Sequence, residues 1–342
     1  MLYFYESKNC TYKGEDNKMK VSKEIQPKVI KQVTDDFSEA LEIQKNLWRE
    51  CKNLHSSDYG ERGVRVSEWI PPKGYCFQQF YQNGVSLEVL KPSDPEEVTD
   101  KVILMVHGGS FNIRMTDLFI DPMAYYSIAG KNATVVSVDY RVRPDVTFNQ
   151  MIQDVVNAYE WILSQGYEPQ DIIAAGDSSG GGTVLGTMLY LRDHKLPMPG
   201  GIITISASTN LTTNPRSVKT VGKKDLMFGD FETIRKRYVA LTQGENATDP
   251  YVSPYFGDFT GFPPMLIQVG SGEILLEDSV GIAKKAYRQG VDVTLEIYES
   301  MYHGFQMCKG KLKEADLAWE NMSKFMDEVF QKDMIENAAV NN

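Results

Sequence analysis

Six nearly continuous apolar runs, at residues 102–106, 134–138, 172–175, 202–205, 265–269 and 293–298, constrain this chain more than any other feature. Short runs that are apolar at successive positions, and so on both faces of a strand, belong in a sheet covered on both sides. Segments of helical period lie between most of them, at 121–129, 151–164, 183–192 and 277–289. Strand and helix alternating over about 200 residues predict an α/β fold: a mostly parallel central sheet with helices on both faces. Ahead of this rhythm, 64–70 alternates, and 77–81 and 85–90 flank Asn83-Gly84, a hairpin signal that supplies antiparallel strands at one edge. A final helix over 312–330 sets Ala315, Trp319, Met322, Phe325, Met326 and Val329 on one side, as expected of a helix lying on the sheet.

Two stretches stand outside the rhythm. Residues 1–22 are polar and mixed, and from about 29 to 54 the period becomes helical, with Phe37, Ala40, Leu41, Leu47 and Trp48 on one face. Residues 208–250 follow a strand, contain no strand-like run and are punctuated by Pro215, Gly222, Gly229 and Gly244, with a helical pattern at 231–241. An insertion of that size on a sheet is usually functional. The partition expected is therefore 1–60 as the N-terminal part of a helical lid, 61–207 as the first part of a catalytic core, 208–250 as the lid insertion and 251–342 as the second part of the core.

The net charge of −10 argues against nucleic acid and anionic membrane surfaces as partners. Cys10, Cys51, Cys76 and Cys308 are scattered, with no CxxC pair and no zinc-like Cys/His spacing, so no metal or cofactor is expected. No basic region leads into an apolar stretch at Met1–Lys8, and no run approaches the ~18 apolar residues of a membrane span. The expectation is a chain in the reducing cytoplasm, monomer or homodimer.

The chemistry centres on Gly176-Asp177-Ser178-Ser179-Gly180, between an apolar strand and a helix. A strand–turn–helix this tight strains the serine backbone and brings neighbouring chains so close that side chains at Gly176 and Gly180 would clash. It lifts the Ser178 hydroxyl clear of the sheet and sets the Ser179 N–H at a helix N-terminus, where an oxyanion would develop. Alone, the five residues also fit a plain turn. Three other places fit the serine. His107-Gly108-Gly109-Ser110 follows the strand 102–106, and bare backbone N–H groups there can converge on an oxyanion. Of the four histidines, His303 sits on a loop past the last strand, where a general base belongs, whereas His194 ends a helix and His55 reads as surface or lid. Glu273, Glu277 and Asp278 follow the strand 265–269 and compete for the role of triad acid, which gives the chain order Ser, acid, His.

With these residues the chain resembles the hormone-sensitive-lipase-like esterases of the α/β-hydrolase fold, from about residue 63 to the end. The resemblance rests on His107–Ser110, Val138-Asp139-Tyr140-Arg141, Phe148 with Asp154, Gly176–Gly181, Gly270–Asp278 and His303-Gly304-Phe305. It implies a nucleophile at Ser178, a base at His303, and oxyanion donors at the N–H groups of Gly108, Gly109 and Ser179. His107, Asp139, Arg141 and Asp154 would hold loops. Register along the family pattern assigns the acid to Glu273. Two departures stand out: Ser110 replaces a usual third glycine, and Glu273 a usual aspartate. The function expected is hydrolysis of small, short-chain acyl esters through an acyl-enzyme. An amidase or deacetylase would use the same triad, and a receptor of this fold would lack the histidine.

Overall fold

The structure is a computed structural model, and it describes residues 24–31, 33, 38, 41–46, 69–82, 84–212, 225 and 231–340, the side chains of 231 and 332–340 excepted. Cys10, Cys51, His55 and Asn83, Phe37, Ala40, Leu47 and Trp48 of the expected N-terminal helical face, the first residues of the strand expected at 64–70, and residues 213–224 and 226–230 of the 208–250 insertion lie outside these; 69–70 run as coil.

Among the described residues, nine strands form one sheet: β1 (Lys28–Ile30), β2 (Tyr75–Gln82), β3 (Val85–Pro92), β4 (Val102–Val106), β5 (Thr134–Asp139), β6 (Ile172–Asp177), β7 (Gly201–Ile205), β8 (Met265–Gly270) and β9 (Val293–Tyr298). Their order is β1-β9-β8-β7-β6-β4-β5-β3-β2. Pairing is antiparallel at β2–β3 and β3–β5 and parallel elsewhere. The helices are α1 (Asp117–Ile120), α2 (Pro122–Ala129), α3 (Phe148–Ser164), α4 (Ser178–Asp193), α5 (Phe231–Leu241), α6 (Leu276–Arg288) and α7 (Lys313–Val340).

Alternation along each strand divides the core. In β4, Val102, Leu104 and Val106 face a cluster containing Val155 and Tyr159 of α3, Val184 and Leu185 of α4, and Ile282 of α6. Ile103 and Met105 face the other way, onto Met123 and Tyr126 of α2 and Trp319, Met322 and Phe325 of α7. The apolar side expected of the last helix is thus spent on the sheet. Helix α3 starts where the sequence dictates: Thr147 accepts the Gln150 N–H and the Gln150 side chain accepts the Thr147 N–H, a reciprocal cap. Among the described residues, no helix is long and apolar enough to cross a membrane.

One expectation is corrected. Residues 28–30 begin no helix; Lys28–Ile30 is a strand, paired in parallel with Glu296–Tyr298 of β9. This part of the 1–60 segment therefore belongs to the sheet and forms its edge strand, and helical backbone is found at 38 and 41–46.

The topology places the site. The chain lays β5 on one side of β4, then crosses to β6 on the other and proceeds outward through β7, β8 and β9. The strand order reverses between β4 and β6, and open α/β sheets bind ligands outside the carboxyl ends of strands at such a point. The loops that follow β4 and β6 are His107–Ser110 and the turn bearing Ser178.

Candidate active site

Ser178 has φ +52, a left-handed conformation for a side-chain-bearing residue, at the join of β6 and α4. The glycines around it are sterically required. A Cβ on Gly176 would lie 2.7 Å from the Gly180 carbonyl, and one on Gly180 would lie 2.1 Å from the Val106 oxygen and 2.4 Å from that of His107. The expected clash is therefore real at both positions, and the second one presses α4 against the end of β4. Ser178 keeps 6% of its surface, and with Ser179 it opens the first turn of α4, whose backbone N–H groups have no intrahelical acceptor.

Glu273 and His303 meet at the ends of β8 and β9. His303 Nδ1 lies 2.7 Å from Glu273 Oε2, with both residues buried. The other carboxylate oxygen accepts Ser206 Oγ–H at 2.6 Å and the Gly270 N–H at 2.8 Å. A carboxylate held at both oxygens has one orientation, and it obliges Nδ1 to carry the proton, leaving Nε2 as the basic nitrogen. The glycines of this loop let it touch the histidine loop: Gly272 N–H donates to Met301 O at 2.8 Å, and Ser300 N–H to Ser271 Oγ at 2.9 Å. Burial works against the imidazolium, but the charge and hydrogen bond of Glu273, with Asp225 and Asp177 behind them, outweigh it and raise the His303 pKa above 6.5.

Of the competing acids, Asp278 points elsewhere. Its Oδ2 accepts the N–H groups of Thr209 and Asn210, both at 2.8 Å, and burial pushes its pKa up to about 7. Glu277, in the first turn of α6, is not bonded to His303. Ser178 and His303 lie on the same edge of the sheet but form no hydrogen bond with each other; in unliganded sites this contact is often long and tightens with substrate.

The oxyanion loop departs from expectation at one position. Gly108 N–H is donated to Asp177 Oδ1 at 3.1 Å, so the carboxylate beside the nucleophile already occupies that donor. A Cβ on Gly108 would lie 2.3 Å from Asp177 Oδ2, which explains the glycine there by close approach. Gly109, at φ +115, and Ser110, at φ +55, donate their N–H groups to no described residue. Position 110 is left-handed, the conformation that favours glycine, and the serine adopts it at a cost of about 1 kcal/mol. Asp177 is pushed up to about 6, by burial first, with His303 and the Gly108 N–H opposing.

The residues expected to hold loops do so. His107 is buried between the rings of Phe119 and Tyr140, its Nδ1 2.6 Å from Gly108 O. Asp139 binds Arg114 at 2.9 Å, and Asp154 binds the Arg141 guanidinium at 2.7 and 2.9 Å. Sequence reasoning missed Ser206 and Asp177 as partners of the site. Ser206 directly follows the strand next to β8, a signal that could have placed it; Asp177 was hidden by its position as a spacer within the glycine–serine motif.

Comparison with known proteins bears on the fold and the family. The family model of the α/β-hydrolase fold matches residues 103–307. An esterase of Acinetobacter venetianus is 34% identical over 236 residues, 66% of this chain and 74% of that protein. An acetyl-hydrolase of Streptomyces hygroscopicus is 30% identical over 239 residues, 68% and 77% of the two chains. Among solved structures, an esterase/lipase from an uncultured bacterium superposes with a TM-score of 0.74 at 31% identity, covering 86% of this chain and 100% of the other. An esterase of the bacterial hormone-sensitive lipase family superposes with 0.75 at 26% identity, covering 87% and 100%. The chain belongs to the α/β-hydrolase family and, within it, to the hormone-sensitive-lipase-like esterases.

Proposed function

We propose that this chain is a serine carboxylic ester hydrolase with Ser178 as nucleophile, His303 as base and Glu273 as triad acid. The observation that carries the reading is the His303–Glu273 bond of 2.7 Å on strand ends beside a serine held at φ +52. Ser178 Oγ attacks the ester carbonyl while His303 Nε2 takes its proton. The imidazolium then protonates the departing alkoxide, and a water deprotonated by the same nitrogen cleaves the acyl-enzyme. Glu273 fixes the tautomer and stabilises the imidazolium. For the oxyanion, the reading assigns the N–H groups of Gly109 and Ser179, with Ser110 taking the place of Gly108. It is supported by the Asp177 carboxylate on Gly108 and by the unused donors at 109 and 110. A donor of this kind contributes about 3 kcal/mol to the transition state.

Short acyl groups fit best. The cavity beside Ser178 is lined by Phe111, Tyr238 and Leu241. Each buried methylene adds only ~0.8 kcal/mol, and a short pocket stops returning even that once the chain outgrows it. The name of the Streptomyces relative, an acetyl-hydrolase, points the same way.

A fluorophosphonate probe should label the wild type and not Ser178→Ala, which should fold as the wild type does. Nitrophenyl esters should be cleaved fastest at about two to eight acyl carbons, and anilides far more slowly. Labelling that survives in Ser178→Ala removes the nucleophile, and rates that climb through palmitoyl esters reverse the chain-length assignment.

A further inference from the structure

Two buried side chains outside the triad end on the loops that carry it. Gln44, within the helical stretch 41–46, is 1% exposed, and its Oε1 accepts the N–H of Tyr302 at 3.0 Å, one residue before His303. Asp225, within the 208–250 insertion, is 7% exposed, and its Oδ2 accepts the N–H of Ile274 at 2.9 Å, one residue after Glu273. Neither belongs to the sheet, and they come from the two separate segments that stand outside the strand–helix rhythm. The second attachment is reciprocal. Asp225 reaches from the insertion to the acid loop, while Asp278, on the helix that follows that loop, holds the N–H groups of Thr209 and Asn210 where the insertion begins.

We propose that Gln44 and Asp225 are positioning residues of the triad, one fixing the histidine loop and the other the acid loop, so that the site is complete only with both out-of-sheet segments seated. The proposal rests on the triad reading above. Asp225 satisfies a buried backbone N–H and Gln44 a part-buried one, and the loss of either acceptor leaves that group unpaired and frees the loop to shift. A displacement of about 1 Å at a catalytic group costs roughly 100-fold. Both loops are tied to each other through Gly272–Met301 and Ser300–Ser271, but those bonds keep them together without fixing the pair against the rest of the site.

The two residues differ in charge, which separates their effects. Among the described residues, the carboxylates facing His303 are Glu273 from the β8–α6 loop, Asp177 from the end of β6 and Asp225 from the insertion. On the adjoining Tyr302, Asp225 opposes Lys45 of the 41–46 stretch. The negative charge of Asp225 favours the imidazolium, so removing it lowers the pH at which His303 gives up its proton. Gln44 is neutral and has no such influence.

The test is the pH profile of kcat and kcat/KM for p-nitrophenyl butyrate, from about pH 5 to 9, with melting temperatures alongside. Asp225→Asn keeps an acceptor and removes the charge: the acidic midpoint should fall by about half a unit or more, with kcat on the plateau within about threefold of wild type. Asp225→Ala removes both and should lose kcat by about tenfold or more on the plateau. Gln44→Met keeps the shape without the acceptor and should lose kcat about as much, with the midpoint unmoved. If Asp225→Asn and Gln44→Met lower only the melting temperature, leaving kcat and midpoint at wild-type values, the proposal is overturned. A wild-type chain that cleaves no ester at all overturns the hydrolase reading itself, and the proposal with it.

Discussion

Glutamate at position 273 reaches His303 with one oxygen and is anchored by the other to Ser206 and Gly270. This predicts how Glu273→Gln fails. The amide has one acceptor and one donor end. If its oxygen stays on the Gly270 N–H, its NH2 faces Nδ1 and selects the tautomer protonated at Nε2, which cannot take the Ser178 proton. If it turns over, the NH2 meets the Gly270 N–H, donor against donor. Both arrangements are poor, and the first disables the base. Steady-state kinetics should show kcat lower by up to ~10⁴, as a wrong tautomer costs in serine proteases. Turnover within about tenfold of wild type would remove Glu273 from the triad. The three residues proposed as the triad could be picked out in the sequence because they stand in motifs, on loops that follow strands. Asp225 and Gln44 were not readable: each lies in a segment without a motif, and each acts through a backbone N–H, which leaves no trace in residue type. The occupied Gly108 donor was also invisible, since only geometry tells which of three successive N–H groups a neighbouring carboxylate will take.

At the scale of elements, the join of β6 and α4 is where the fold and the site constrain each other most. Gly180 lies so close to β4 that a methyl group would sit against two backbone carbonyls, and backbone cannot rotate away as a side chain can. Gly180→Ala must therefore push α4 off the sheet or distort the loop at His107. The expected cost is at least ~3 kcal/mol in chemical denaturation, with activity lost alongside. A variant within about 1 kcal/mol of wild type would show that the elbow is less tightly set than the contacts imply. The same elements show why most of the architecture could be read in advance. β4 to β8 are buried on both faces, so each writes itself as an apolar run, and β9, half-buried, does so in part. β1 does not: it is three residues long, two of them exposed, and it exists only because β9 offers a parallel edge and Glu296 a partner 2.6 Å from Lys28. Its local pattern joins it to the helical period that follows.

Across the whole molecule, buried carboxylates make stability depend on pH in a predictable direction. Asp278 is pushed from 3.8 to about 7 and Asp177 to about 6, in both cases mainly by burial. A folded-state pKa above the unfolded one means that the unfolded chain releases its proton first as pH rises. The contribution of each group to stability is therefore fully present below about pH 4 and falls as pH climbs, through about 6 for Asp177 and 7 for Asp278. At about 1.4 kcal/mol per pKa unit, Asp278 alone carries a cost of a few kcal/mol at neutral pH. It is retained because its Oδ2 gathers Thr209 and Asn210, fastening the start of the insertion to α6. Asparagine can do the same with its single oxygen, since both backbone donors, and the Thr209 hydroxyl at 3.3 Å, converge on that one atom. Asp278→Asn should therefore keep the attachment and shed the cost. Denaturation at a series of pH values should show the variant gaining on wild type steadily from about pH 4 to 7, and holding a constant advantage above. Its activity should stay within about tenfold, because Asp278 does not touch His303. Parallel curves for the two proteins across that range would mean that Asp278 is not the buried acid driving the loss. A variant that instead weakens more as pH rises would mean that the carboxylate is ionised and stabilising where it stands.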